Sequence, residues 1–414
     1  MIAMPAALPL NARQIAAGDW PAAQAGGLLL EWLGAQVCRQ PTGSPSNVAL
    51  SDNSGSVIHS PSTHEEDWRC TGLAALTGRA SGPPLQGPGH PGTLARAVQF
   101  AVNLLAGVDA VSPHWLGERA RLLGLTRNGD SSAGSAARII AASDGWFALN
   151  LPRDCDTDLV PALVETQVRC QAWEAIAAWA QTQSVDAAME RAMMLGLAVG
   201  RVARPGPVPA LETPWAIQMQ ACTPLGRRPP LRVVNLGALW AAPLCAQVLR
   251  RCAMRVLDVH SVARVDEGPP DVYRALHEGH ERLVLDFAAP EGRQALREAL
   301  QEADIVIEAS RARALEQLGV AAPRIMMDRR PRTWIRITGH GHDSNRIAFG
   351  DDAAVEGGLT AWDNTGPMFV GDALADPLTG LLAAVAALAC SQSADHAWIV
   401  DVAMVRSARL AAAL

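Results

Sequence analysis

The sequence predicts an α/β protein: a doubly wound, mostly parallel sheet with a smaller α/β domain and a helical N-terminal segment. Three observations carry this. From residue 231 to residue 338, short β-branched runs alternate with helical stretches, as in consecutive βα units. A hydrophobic content of 49% with 18% charged residues fits a chain with a sizeable buried core. At 414 residues, more than one such core is expected.

Residues 1–130 form the expected helical N-terminal segment. Within it, Gly27-Leu-Leu-Leu-Glu-Trp-Leu33 suggests one or two short helices before residue 38, and 67–78 and 91–128 read as further helices. Residues 39–66, rich in Pro, Ser, Gly and Asn, read as a long loop. A small α/β domain is expected over 131–204. In Ala137-Arg-Ile-Ile-Ala-Ala-Ser-Asp-Gly-Trp-Phe-Ala-Leu-Asn150, an Asp144-Gly145 turn separates two apolar runs, which is a hairpin signal. Helices are then expected at 159–166, 172–182 and 187–194. Proline-rich residues 205–230 read as a linker. The remaining unit, 231–414, has predicted strands at 231–237, 254–260, 283–287, 305–308 and 333–338, with helices at 243–252 and 292–302 between them. Ligands of such sheets bind at the carboxyl ends of the strands.

A formal charge of −6 gives no general attraction to nucleic acid or to an anionic membrane. Binding of a polyanionic ligand therefore has to come from local arginines. No apolar run reaches the roughly eighteen residues that span a bilayer. Met1-Ile-Ala-Met-Pro5 lacks the basic region of a signal peptide. The eight cysteines contain no CxxC pair, which argues against a disulfide framework and for a reducing, cytoplasmic setting.

The chemistry is expected at Val370-Gly-Asp-Ala-Leu-Ala-Asp-Pro-Leu-Thr-Gly380, which leads into the apolar run 381–389. Asp376 stands at the mouth of that helix, where a carboxylate caps the free amides of the first turn. Those amides can equally polarise a ligand carbonyl while the carboxylate attacks it. Asp372, four residues earlier, is the competing carboxylate. Asp351 and Asp352 precede a predicted helix over 353–359 and read as caps or as a possible acid/base pair. His340 and His342 flank Gly341 with no Cys or carboxylate at helpful spacing, so no metal site is expected. The tryptophans read as core.

A faint internal echo links Gly72-Leu-Ala-Ala-Leu-Thr-Gly78 to Gly358-Leu-Thr-Ala-Trp-Asp-Asn-Thr-Gly366. The first copy leads past His90-Pro-Gly92 into a helix, where the second has Asp376-Pro-Leu-Thr-Gly380.

The turn after the first strand, Gly237-Ala-Leu-Trp-Ala-Ala-Pro243, lacks the glycine fingerprint of a dinucleotide site. An ordered series instead resembles the family III CoA-transferases, whose fold also carries the α-methylacyl-CoA racemases. The series runs through Arg255-Val-Leu-Asp-Val-His260, Leu283-Val-Leu-Asp-Phe287 and Ala303-Asp-Ile-Val-Ile-Glu308. It continues through Ile337-Thr-Gly-His-Gly341, Gly350-Asp-Asp-Ala-Ala-Val-Glu-Gly-Gly358, Asp376-Pro-Leu-Thr-Gly380 and Ile399-Val-Asp-Val-Ala-Met404. The resemblance implies a Rossmann-like CoA-binding catalytic domain over 231–414. Ala141–Asn150 resembles the hairpin that opens the family's small domain, and 68–78 resembles the segment before its catalytic Asp. The order is rearranged, so 1–130 reads as a degenerate part of the catalytic domain.

By resemblance, Asp376 is the nucleophile of an acyl-CoA:carboxylate CoA-transferase, acting through an aspartyl mixed anhydride and an aspartyl-CoA thioester. Arg264 stands where the family often holds the adenosine end of CoA, Arg311 matches the basic residue of its Asn-Phe-Arg-Pro-Gly segment, and His280 and Arg282 stand where it has a basic pair, although each also reads as a surface cation. Ala241, Pro243 and Gly339 would let CoA approach the backbone. Coenzyme A enters as substrate, with no permanently bound cofactor. The implied partners are an acyl-CoA donor, a carboxylic acid acceptor and a second subunit, as a homodimer. The racemases carry a His at the place of Asp351, which makes acid/base racemisation or isomerisation the alternative. A CoA-binding subunit without catalysis is the third reading.

Overall fold

The computed structural model describes residues 8–39, 47–166, 171–224, 229–263, 268–310 and 312–414. The N-terminal region starts with β1 (Gln14–Ala17), α1 (Pro21–Trp32) and β2 (Gln36–Arg39), whose strands pair in parallel. The hairpin β3 (Val48–Asp52) and β4 (Gly55–Ile58) completes a sheet of order β2-β1-β3-β4. The expected loop over 39–66 and the purely helical N-terminal segment are thus corrected. These strands are short and carry Ser and Asp, which hides their alternation. Burial of Ala49 and Leu50, together with the Asp52 carboxylate accepting from Ser54 N–H at 2.8 Å, holds the hairpin. Next come α2 (His64–Cys70), which opens on a Thr63–Glu66 capping box, α3 (Pro91–Ala106) and α4 (Glu118–Leu123).

A three-stranded antiparallel sheet follows. Strands β5 (Ala137–Ala141) and β6 (Trp146–Asn150) make the hairpin. Then come α5 (Asp154–Thr157), α6 (Val160–Leu163), α7 (Ala172–Ala180) and α8 (Val185–Met194), and β7 (Ala198–Arg201) returns to pair with β6. Phe147, Leu149, Ile176 and Val199 sit in its core.

The stretch expected as a linker contains β8 (Trp215–Ala221), whose proline-rich flanks mask an edge strand with Trp215 and Ile217 turned inward. After it come β9 (Arg232–Asn235), α9 (Ala241–Arg251), β10 (Arg255–Ser261), α10 (Pro270–His277), β11 (Glu281–Leu285), α11 (Pro290–Glu302) and β12 (Ile305–Glu308). The chain closes with α12 (Ala312–Gln317), α13 (Ala322–Ile325), β13 (Thr333–Thr338), α14 (Gly350–Glu356), β14 (Thr360–Asp363), β15 (Gly366–Phe369), α15 (Ala375–Ser391), β16 (His396–Ala403) and α16 (Met404–Ala413).

The large sheet has the order β11-β10-β9-β12-β13-β16-β8, and only β8 runs antiparallel to its neighbour. From β9 the chain builds outward first through β10 and β11, then through β12 and β13. That reversal places a switch point between the carboxyl ends of β9 and β12. Helix α15 is apolar on all sides and packs against α9, α3, α16 and β13, as a helix without a polar face must. One core therefore joins Leu30 and Phe100 of the N-terminal region to Leu249, Ile335 and Leu382. No described helix is long and apolar enough to cross a membrane.

Candidate active site

Asp376 occupies the second position of α15, with its N–H donating to Ala373 carbonyl at 2.9 Å. The backbone N–H of Gly350, the first residue of α14, donates to its carboxylate. A Cβ at Gly350 would overlap both Asp376 Oδ2 and the Ala373 carbonyl, so only glycine lets the mouths of α14 and α15 meet. Gly380 has a related task one turn on. A Cβ there would lie 2.5 Å from the Ala241 carbonyl at the start of α9. The Asp-Pro-Leu-Thr-Gly run thus places a carboxylate at the end of a helix that is wedged against α9.

Three more carboxylates surround this point. Asp351 Oδ1 accepts the Ala373 N–H at 2.8 Å, and the Ser132 hydroxyl also bonds Asp351. Asp372 takes Arg119 Nη1 at 2.6 Å on both oxygens. Asp352 accepts from Phe349 N–H at 3.0 Å and from Asn150 Nδ2 at 3.1 Å, which ties β6 of the small part to α14. Asp351, Asp352 and Asp372 are buried, and Asp376 alone is partly open to solvent.

Burial is the main cause that raises all four pKa values. Asp376 is pushed up to about 7, with the Asp351 charge adding to the rise and Arg119 opposing it. Asp351 also reaches about 7, with Asp372 adding and the Ala373 amide and Arg119 opposing. Asp352 reaches about 8 against the pull of the Phe349 amide and Asn150. Asp372 is raised by burial despite its ion pair with Arg119. These are poised groups in one place, a common trait of sites that exchange protons or form covalent bonds.

Arg119 links the cluster to a cavity of about 130 Å³ between α4, α9 and α10, lined by Trp115, Arg119, Trp240, Leu244 and Arg251 among others. Its guanidinium lies 5.7 Å from the Trp240 ring centroid, and Arg251 lies 4.8 Å from that of Trp115. A larger, open depression of about 400 Å³ lies beside α10, lined by residues that include Tyr273 and His277. Neither cavity is lined by the four carboxylates; only the smaller one touches the cluster, through Arg119.

The other predicted positions are scattered. Ala241 and Pro243 are buried in the first turn of α9, beside the switch point. Gly339 follows β13, and its carbonyl accepts Val405 N–H at 3.1 Å. His280 is turned inward with both ring nitrogens engaged, and Arg282 lies in β11. Arg264 and Arg311 fall outside the described residues. His340 faces Glu356 at 3.5 Å, whereas the backbone of His342 bonds Asp401, so these two do not converge on one point.

Arg119, Ser132, Gly350 and Asn150 were not singled out in the sequence. Arg119 meets Asp372 across 253 residues of chain, and no local pattern marks it. Only Asn150, the last residue of a legible hairpin, and Gly350, next to the paired Asp351 and Asp352, carried a usable signal.

Fold and site together define a doubly wound α/β protein with a carboxylate-based site at the mouth of a buried helix. Residues 230–413 match the model of CoA-transferase family III. A succinate–glutarate CoA-transferase of Agrobacterium fabrum is 29% identical over 215 residues, covering 45% of this chain and 54% of its own. A succinyl-CoA–D-citramalate CoA-transferase of Chloroflexus aurantiacus is 24% identical over 200 residues, covering 42% and 50%. The chain thus spans about half the length of the curated relatives it matches. Among solved structures, a CAIB/BAIF family protein from Brucella suis aligns with a TM-score of 0.41 at 26% identity, covering 44% of this chain and 53% of that one.

Proposed function

We propose that this protein transfers coenzyme A from an acyl-CoA donor to a carboxylic acid acceptor, with Asp376 as nucleophile. The observation that carries the proposal is Asp376 itself. It is the one partly exposed member of a buried carboxylate cluster, within the segment that matches the transferase family.

The ionised Asp376 oxygen attacks the thioester carbonyl, the C–S bond breaks, and CoA leaves as thiolate. The thiolate then attacks the aspartyl carbonyl of the mixed anhydride and releases the donor carboxylate. An acceptor carboxylate displaces CoA from the aspartyl thioester, and the returning thiolate takes the acceptor acyl group, which frees Asp376. The Gly350 N–H supplies a donor for the oxyanions formed at the aspartyl carbon. Arg119 offsets the negative charge that gathers beside Asp372. Coenzyme A is substrate throughout, and no permanently bound cofactor enters the scheme. The names of the relatives make succinyl-CoA the first donor to try, and a homodimer in the cytoplasm remains the expected setting.

Intact-protein mass after incubation with a panel of acyl-CoAs, followed by hydroxylamine, tests the scheme. The expected result is a CoA-sized adduct that hydroxylamine removes and that Asp376→Ala never forms. CoA binding without an adduct from any donor overturns it. A second reading has a specific observation behind it. Asp351 and Asp376 interact through charge and burial pushes both up to about 7, which suits a pair of acid/base groups. Exchange of the substrate α-proton with deuterated water, in the absence of an adduct, selects that reading. Absence of both, with CoA still bound, selects a non-catalytic subunit.

A further inference from the structure

We propose that Asp258, His277 and His280 form a binding site for a borderline divalent cation of the Zn²⁺ class, apart from the carboxylate cluster and independent of the transferase reading. The three residues come from β10, the last position of α10, and the short turn before β11. His277 Nδ1 lies 2.6 Å and His280 Nδ1 2.8 Å from the same oxygen, Asp258 Oδ2. The side chains are 3% exposed for Asp258, 8% for His277 and 1% for His280, so water does not share the site freely. One ligand atom from each lies within 4.8 Å of the others.

The hydrogen bonds around the cluster explain why a cation fits it. Asp258 Oδ1 accepts from Asn235 Nδ2 at 2.8 Å, which leaves Oδ2 facing the two imidazoles. His280 Nε2 is 3.0 Å from Gln247 Oε1, an oxygen that only accepts, so Nε2 carries the ring hydrogen. Nδ1 of each imidazole and Oδ2 of Asp258 thus converge on one point, where a cation would have all three as ligands.

The surroundings are those that metal ligands use. Gln247 fixes the tautomer of His280 and Asn235 orients Asp258, as outer-shell partners do. Two imidazole nitrogens and one carboxylate oxygen form a donor set suited to Zn²⁺. Tyr273 stacks on His277 with centroids 4.0 Å apart and covers one side. His277 also lines the open depression beside α10, which gives an ion a path in. The site would pin β10, α10 and β11 together at the edge of the sheet. No metal was expected from the sequence because His340 and His342 have no Cys or carboxylate partner at helpful spacing. The ligands here are instead gathered from one strand, a helix end and the turn before the next strand.

The test uses the full chain. Protein grown with zinc is analysed for bound metal, stripped with a chelator, and titrated with Co²⁺ and Zn²⁺. About one equivalent of zinc per chain is expected, together with visible Co²⁺ d–d bands. The melting temperature should rise by roughly 5 °C when Zn²⁺ is returned. His280→Gln and His277→Gln should each weaken Co²⁺ binding by about 100-fold while the circular dichroism stays native. His340→Gln should bind as the unaltered chain does. A folded chain that takes up neither ion at about 100 µM, with no thermal shift, overturns the proposal in favour of a hydrogen-bonded network. So do glutamine variants that bind Co²⁺ undiminished.

Discussion

At the residue scale, the charge on Asp376 is set by its neighbours, and the signs of their effects can be tested one at a time. Asp351 adds negative charge beside it, and Arg119 adds positive charge. Asp351→Asn should therefore move the midpoint of the pH–rate profile down, and Arg119→Met should move it up. In the unaltered protein, the nucleophile must be ionised, so the rate should climb from about pH 6 to about pH 8 and then level, given a pKa of about 7. The titration belongs to the cluster rather than to one residue, so the profile reports a group value. Stability runs the other way. The folded protein holds protons on Asp351, Asp352 and Asp376 that the unfolded chain releases near pH 4. That contribution is whole below about pH 4 and is lost as pH rises through about 7 to 8, which denaturant titrations at several pH values will read. Arg119→Met should also cost roughly 3 kcal/mol, because it leaves Asp372 buried and unpaired.

At the scale of elements, two close approaches decide where the nucleophile stands. The mouth of α15 meets α14 at Gly350, and its second turn meets α9 at Gly380. Gly380→Ala should destabilise the fold by about 1–3 kcal/mol by driving a methyl group into the Ala241 carbonyl, measured by denaturant unfolding. Gly350→Ala should act on stability at least as much as Gly380→Ala, and on chemistry as well. It displaces Asp376 and Ala373, so adduct formation should fall by at least about 100-fold in single-turnover mass measurements. The helices and strands of 231–338 were legible because β9, β12 and β13 are largely buried apolar runs and the elements between them alternate in period. Strands β3, β4 and β8 were not, because strands that carry Ser, Asp and Gln owe their state to the strands they pair with.

At the scale of the whole molecule, the N-terminal region and the large sheet share one core around α15, while the small part has its own. Amide exchange should therefore show α1, α3 and α15 opening together, with α7 and α8 free to open at lower cost. Loss of Leu382, fully buried in the shared core, should unfold both regions as a unit, with Leu382→Ala costing about 2–5 kcal/mol. The sequence by itself determined the alternating strands and helices, the small hairpin, and Asp376 at a helix mouth, because these follow from local periodicity and turn chemistry. Only the tertiary structure decided that Arg119 faces Asp372, that Asn150 holds Asp352, and that Asp258 meets two histidines. Those pairings depend on helices and strands far apart in the chain being packed side by side, and local sequence carries no record of that distance.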